Sequence, residues 1–177
     1  MRRTNSKLAN GTSISPQLII EQQTIKKLAE QIKEKLQAEQ EKKKEAEEKA
    51  KREHYLRYEL VKSSPLKIPK NAQIDDQIKT GYEQVKYRWK KGKFKYTLRW
   101  HTRTPDAPPE QGTTWVVERR RMGDSRTQHI DYILIGKKGK KNIWVFKNVW
   151  EDAIKARKVG TATKEQEELL KNGHWKV

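Results

Sequence analysis

Arg99, His101 and Arg103 occupy alternate positions in KFKYTLRWHTRT, residues 93–104. An imidazole titrates near neutrality and can give or take a proton. A guanidinium keeps its proton, and its fork matches two oxygens of a phosphate. These are the parts needed to cleave RNA through its own 2′-hydroxyl. That reaction needs a base at the hydroxyl, cations around the phosphate and an acid at the leaving 5′-oxygen. It needs no metal. Glu118, flanked by Arg119 and Arg120, is expected to be ionised and supplies a second proton-transfer group. The expected catalytic set is therefore His101, Glu118 and Arg99, with Arg103 and Arg119 clamping the phosphate. Lys86, Arg88, Lys95, Arg120 and Arg121 extend the nucleic-acid contact. The competing reading is plain: polar residues alternating with apolar ones also describe the wet side of any half-exposed strand.

Other chemistries find no pattern here. The chain has no phosphate-cradling glycine loop and no nucleophile elbow. Its histidines, at 54, 101, 129 and 174, are dispersed, so neither a metal nor a cofactor is expected. His174, in Gly173-His174-Trp175, is placed to fold back onto a sheet.

Strands must position the first set. Phe94, Tyr96, Leu98 and Trp100 alternate with Lys95, Thr97, Arg99 and His101, so a strand separates rings from cations. Val85-Tyr87-Trp89 alternates in the same way, and Lys91-Gly92 turns one strand into the next as a hairpin. Prolines at 105, 108 and 109 keep the following stretch out of the sheet. Further strands are expected at 115–121, 129–135 and 143–146, with a Gly-Lys turn over 137–142. Two helices follow, the first capped by Asn148 and ended by Gly160, the second capped by Thr163 with Gln166 in the reciprocal position and stopped by Asn172-Gly173.

The N-terminal part has a different period. Residues 1–15 are polar and patternless and read as a disordered tail. Ser15-Pro16 starts a helix, and Ile25, Leu28, Ile32 and Leu36 form an apolar stripe upon it. From 37 to 53 no large apolar residue occurs, and pairs such as Glu45 with Lys49 and Glu47 with Lys51 support a charged rod. The organisation expected is a tail at 1–15, a long charged helix at 16–62, a linker at 63–80 and a basic α+β domain at 81–177. That domain has a mainly antiparallel sheet of four or five strands and two C-terminal helices.

Composition limits the partners. The chain has 177 residues and a net charge of +18, so a polyanion is expected to bind it. Residues 86–141 hold sixteen Lys or Arg against five Asp or Glu, which places the positive field on the sheet domain. Tyr87, Trp89, Phe94, Tyr96, Trp100 and Trp115 are interleaved with it, as suits base stacking beside phosphate contacts, or simply a buried sheet face. No apolar run approaches eighteen residues and no signal peptide is read, so no membrane is expected. The absence of cysteine fits a reducing compartment.

The run YRWKKGKFKYTLRWHTRTPDAPPEQGTTWVVERRR, with TATKEQEELLKNGHW beyond it, resembles C-terminal toxin domains of bacterial polymorphic toxins and of phage minor head proteins. Several of those belong to the metal-independent ribonucleases grouped around barnase, EndoU, the colicins and RelE. The likeness spans residues 82–175 and implies an antiparallel sheet whose open face carries Arg99, His101, Arg103, Glu118 and Arg119. It implies an endoribonuclease of phage or toxin origin, acting on RNA in preference to DNA in a bacterial host cytoplasm or on a virion. An acidic inhibitor protein or a phage structural protein is the implied protein partner. The alternatives are a non-catalytic nucleic-acid-binding protein, or a packaging protein that assembles through its helix.

Overall fold

Backbone pairing takes up the alternating sequence and extends it at both ends. The computed structural model describes residues 16–123 and 128–177, the Pro16 side chain excepted, so the expected tail at 1–15 lies outside the described residues. The chain forms two units, one through Arg52 and one over Glu53–Val177. The first contains α1 (Pro16–His54) as far as Arg52, and on it Ile25, Leu28, Ile32 and Leu36 are all exposed. No helix among the described residues is long and apolar enough to cross a membrane.

In the second unit the end of α1 widens into a π turn (Tyr55–Glu59) and tightens into a 3₁₀ turn (Leu60–Ser63). The strands are β1 (Gln73–Lys79), β2 (Tyr82–Lys91), β3 (Phe94–His101), β4 (Thr114–Arg121), β5 (Ile130–Lys138) and β6 (Lys141–Phe146). Helices α2 (Lys147–Lys158) and α3 (Lys164–Gly173) follow, then a short β7 (Trp175–Lys176). The architecture is α+β. The sheet is antiparallel in the order β1 to β6, with β7 added beside β4.

Among the described residues seven strands replace the expected four or five. β1 lies in the segment whose prolines suggest a linker. Pro65 and Pro69 stay outside the ladder, and every residue from Gln73 to Lys79 has a partner on β2. QIDDQIK offers only two apolar side chains, so backbone pairing rather than burial holds it, and the hydrophobic pattern gives little sign of it. β7 exists because β4 changes partner along its length. β4 pairs with β5 only from Glu118 to Arg121, and Thr114 and Trp115 pair instead with Lys176 and Trp175.

Tight turns close where glycine permits. Gly92, at φ 58°, takes the left-handed conformation that lets β2 return directly as β3. The turn after β5 is shorter than the expected 137–142, because both strands run on to flank Gly139-Lys140. Asn148 does not cap α2. The helix starts two residues earlier, with Phe146 at the N-cap, and the Asn148 Oδ1 accepts from the Val149 amide at 2.9 Å. Thr163 and Gln166 do form the reciprocal capping box of α3.

Two apolar layers sandwich the sheet. On one face Val85, Tyr87, Leu98, Trp100, Trp115, Val117 and Leu134 pack with Leu56, Leu60 and Ala72. The Tyr87 hydroxyl donates to the Leu56 carbonyl at 2.7 Å, and the Trp115 indole donates to Ser63 Oγ at 3.1 Å. On the other face Val116 and Ile133 meet Trp150 and Ala153 of α2 and Leu170 of α3. Gly173 ends α3 without a positive φ. Its task is space: a Cβ there would lie 2.2 Å from the Trp150 ring. Gly173→Ala should therefore destabilise the domain by about 1–3 kcal/mol through overpacking, read from urea denaturation. An unchanged midpoint would show that Trp150 moves freely aside.

Candidate nucleic-acid interface

Adjacent residues on a strand face opposite sides of the sheet, and the register decides which of them share a side. On the helix-packed side, rows run across the strands. One joins Asp75, Lys86, Arg99 and Val116, the next Arg88, Thr97, Glu118 and Ile133, and the next Lys90, Lys95, Arg120 and Asp131. A last row joins Gln84, His101 and Thr114. Arg119 and Arg121 stand on the opposite side. This corrects the expected clamp of Arg99, Arg103 and Arg119, because Arg99 and Arg119 lie on opposite faces of the sheet and cannot converge on one phosphate.

The expected acid–base pair is separated along the strands. Glu118 opposes Thr97, four residues from His101, which separates the two residues by about 13 Å along the strand direction. His101 is 7% exposed. Its Nδ1 lies 2.9 Å from the Thr102 carbonyl and its Nε2 3.5 Å from Thr114 Oγ1, so the neutral ring donates at Nδ1 and accepts at Nε2. Burial pushes its pKa down, the Thr102 bond opposes that, and Arg99 adds to the depression. The ring meets His174 edge-on at 6.1 Å, so the C-terminal histidine does fold back onto the sheet. Glu118 is bound to Lys147 at the start of α2, at 3.0 Å. Arg103 lies past the strand and donates to the Ala107 carbonyl at 2.8 Å, bracing the proline loop.

A cationic surface remains on β2 and β3. Lys86 opposes Arg99, and Lys90 opposes Lys95, which in turn opposes Arg120. Like charges placed directly across strands repel. Arg120 is relieved by Asp131, which accepts from it twice, at 2.7 and 2.8 Å, and its pairing holds the Asp131 carboxyl below the usual range. Arg88 reaches Asp75 at 3.2 Å. Lys86, Arg99 and Lys95 have no ion-pair partner among the described residues. The Lys86 pKa is pushed down, first by burial, then by Arg88, with Arg99 and Lys79 adding repulsion against the pull of Asp75.

The opposite side carries a feature that single-strand alternation does not disclose. Trp89, Tyr96, Arg119, Tyr132 and Phe146 face one another in unbroken register across β2 to β6. Trp89 and Tyr96 stack at 5.2 Å, and Tyr132 and Phe146 at 5.3 Å. The Arg119 guanidinium lies between the two stacks, with Cζ 4.0 Å from the Trp144 ring centre, 4.5 Å from Phe94 and 5.1 Å from Tyr132. Tyr132, Trp144 and Phe146 were not among the expected residues. Each lies on a strand whose sequence is mixed, and only the pairing register lines them up. Of the rings expected to be buried, Tyr87, Trp100 and Trp115 are, whereas Trp89, Phe94 and Tyr96 stay half-exposed.

The histidine pair gives a pH prediction. Burial, opposed by a bond to the Leu170 carbonyl and helped by His101, Arg157 and Arg99, pushes His174 down to about 4. The unfolded chain titrates near 6.5, so it takes up protons first as pH falls. Stability should be full above about pH 6.5 and decline toward pH 4, by about 3 kcal/mol for His174. His174→Asn should flatten that decline in urea titrations at pH 7, 5.5 and 4.5. An equal decline in the variant would remove His174 as its source.

No protein-family model, curated protein or solved structure matches this chain.

Proposed function

We propose that the sheet domain is a non-catalytic nucleic-acid-binding module that seats phosphates on the cationic side of β2 and β3. The observation that supports this most directly is the pairing of like charges, Lys86 with Arg99 and Lys90 with Lys95, on a part-exposed surface. Such pairs work against the free fold by about 0.2–1 kcal/mol each. A bound phosphodiester removes that opposition and takes charge-assisted hydrogen bonds from the arginine fork. Thr97 stands among these cations and offers a hydroxyl to the same oxygens.

Hydrolysis has weaker support. His101 is buried and fully engaged, and Glu118 is distant from it and bound to Lys147. Ribonuclease-like chains and this domain still share a demand for phosphate contact, and the two readings separate by experiment. Lys86→Gln and Arg99→Gln should each weaken binding about fivefold and lower the salt slope of affinity by about 1. Each should also raise the stability of the free protein by about 0.2–1 kcal/mol, as the repulsion is relieved. RNA incubated with the protein in EDTA should stay intact. Appearance of 2′,3′-cyclic phosphate ends that His101→Ala abolishes would overturn the non-catalytic reading.

Assembly is a second element of the reading, favoured by the exposed apolar positions of α1. Leu18, Ile25 and Ile32 recur every seven residues with Leu28 between them, a short coiled-coil seam. A second copy of the chain would cover it. Sedimentation of the full chain should show a dimer that Ile25→Lys with Ile32→Lys converts to monomer; a monomeric parent chain would dismiss it.

A further inference from the structure

We infer that the row Trp89–Tyr96–Arg119–Tyr132–Phe146 is a stacking platform for the bases of a single-stranded nucleic acid. The inference rests on the nucleic-acid reading above and adds to it a second surface and a preference for single strands. Five consecutive strands each contribute one planar group to the row. At about 4.8 Å between strands the row extends roughly 19 Å, room for a few unstacked nucleotides. Four members are half-exposed and Phe146 is 53% exposed, so ring surface is available along it. Below the row lies the buried core, through Leu98, Val117 and Leu134. Above it lie Lys91, Lys93 and Arg121, all exposed, at the β2–β3 turn and the end of β4. Rings bordered on one side by cations match bases bordered by a sugar–phosphate chain.

Arg119 decides between possible occupants. Its Nε is already buried without a hydrogen-bond partner among the described residues. An apolar protein surface or a lipid tail laid over the row would strand the remaining N–H groups as well, at a desolvation penalty. A base edge or a phosphate oxygen supplies acceptors to those groups, and the base presents a π-face to the rings. A duplex cannot use the platform, because its bases are stacked on one another and turned inward. The three rings around the guanidinium fix its plane before any ligand arrives, so little ordering remains to be done on binding.

The test uses the full chain and a fluorescein-labelled ten-nucleotide RNA, the DNA of the same sequence, and the RNA as a duplex. Expected is single-strand binding at least tenfold tighter than duplex binding. Phe146→Leu and Trp89→Leu, which keep an apolar side chain and remove the ring, should each weaken single-strand binding about tenfold and leave duplex binding unchanged. A strand carrying 2-aminopurine should change fluorescence on binding the parent chain and respond less with Phe146→Leu. Equal affinity for single strand and duplex, or full single-strand affinity in both leucine variants, overturns the platform while leaving the cationic surface in place. If Lys86→Gln and Arg99→Gln also leave binding unaltered, the phosphate reading fails. Absence of any binding removes both.

Discussion

The pairing of β3 with β4 determines what the rest of the sheet domain can do. It is unbroken from Phe94 opposite Arg121 to His101 opposite Thr114. Because side chains alternate, this one register sends Arg120 to the cations and Arg119 to the rings. Shifted by a single residue, the aromatic side chains of β3 would lie with Glu118 and Arg120, and neither core would close. The register is fixed by burial on both sides of β4: Trp115 and Val117 on one, Val116 on the other. The part of the strand that packs thus specifies the part that stays available.

The two polar surfaces solve opposite electrostatic problems. On the cationic side the charges are crowded and only partly neutralised, by Asp75 and Asp131. On the ring side the Arg119 guanidinium is neutralised by no carboxylate in the described ion pairs and is instead surrounded by π-faces. The first arrangement weakens as salt rises and the second hardly responds to it, because screening acts on exposed charges more than on enclosed contacts. Buried histidines contribute to neither. They satisfy backbone carbonyls and fill the closed end of the sheet.

Much of the fold was legible in the sequence. The alternation of Val85-Tyr87-Trp89 and of Phe94 to Trp100, the Gly92 turn and the Thr163 capping box all correspond to observed elements. β1 was not, because a strand held by its ladder shows no apolar alternation. Lys86, Arg88, Arg99 and Lys95, grouped from the sequence, do share one side. Arg119 and Arg121 were grouped with them by nearness in sequence, which on a strand is the wrong measure. Arg103, expected in the clamp, is exposed and donates to the Ala107 carbonyl of the proline loop. His101 carried the right chemistry for catalysis, but it is buried among rings, with Tyr82 of the paired strand and His174 from the C-terminal segment against it, and the second of these no local pattern discloses. The aromatic row could not be read from any one segment, since each strand contributes a single member.

The change of partner along β4 has a consequence for motion. Its lower end is held on one side by β7, only two residues long, while its upper end is held by β5. Its ladder is short, but Trp175 also packs on the core and its indole donates to the Leu134 carbonyl at 3.1 Å, so detaching it costs that burial while leaving the longer ladders intact. Water could then enter around the paired imidazoles while the hairpin tip and its neighbours stay ordered. The C-terminal segment would exchange its amides on its own schedule, indifferent to whatever occupies the far end of the sheet.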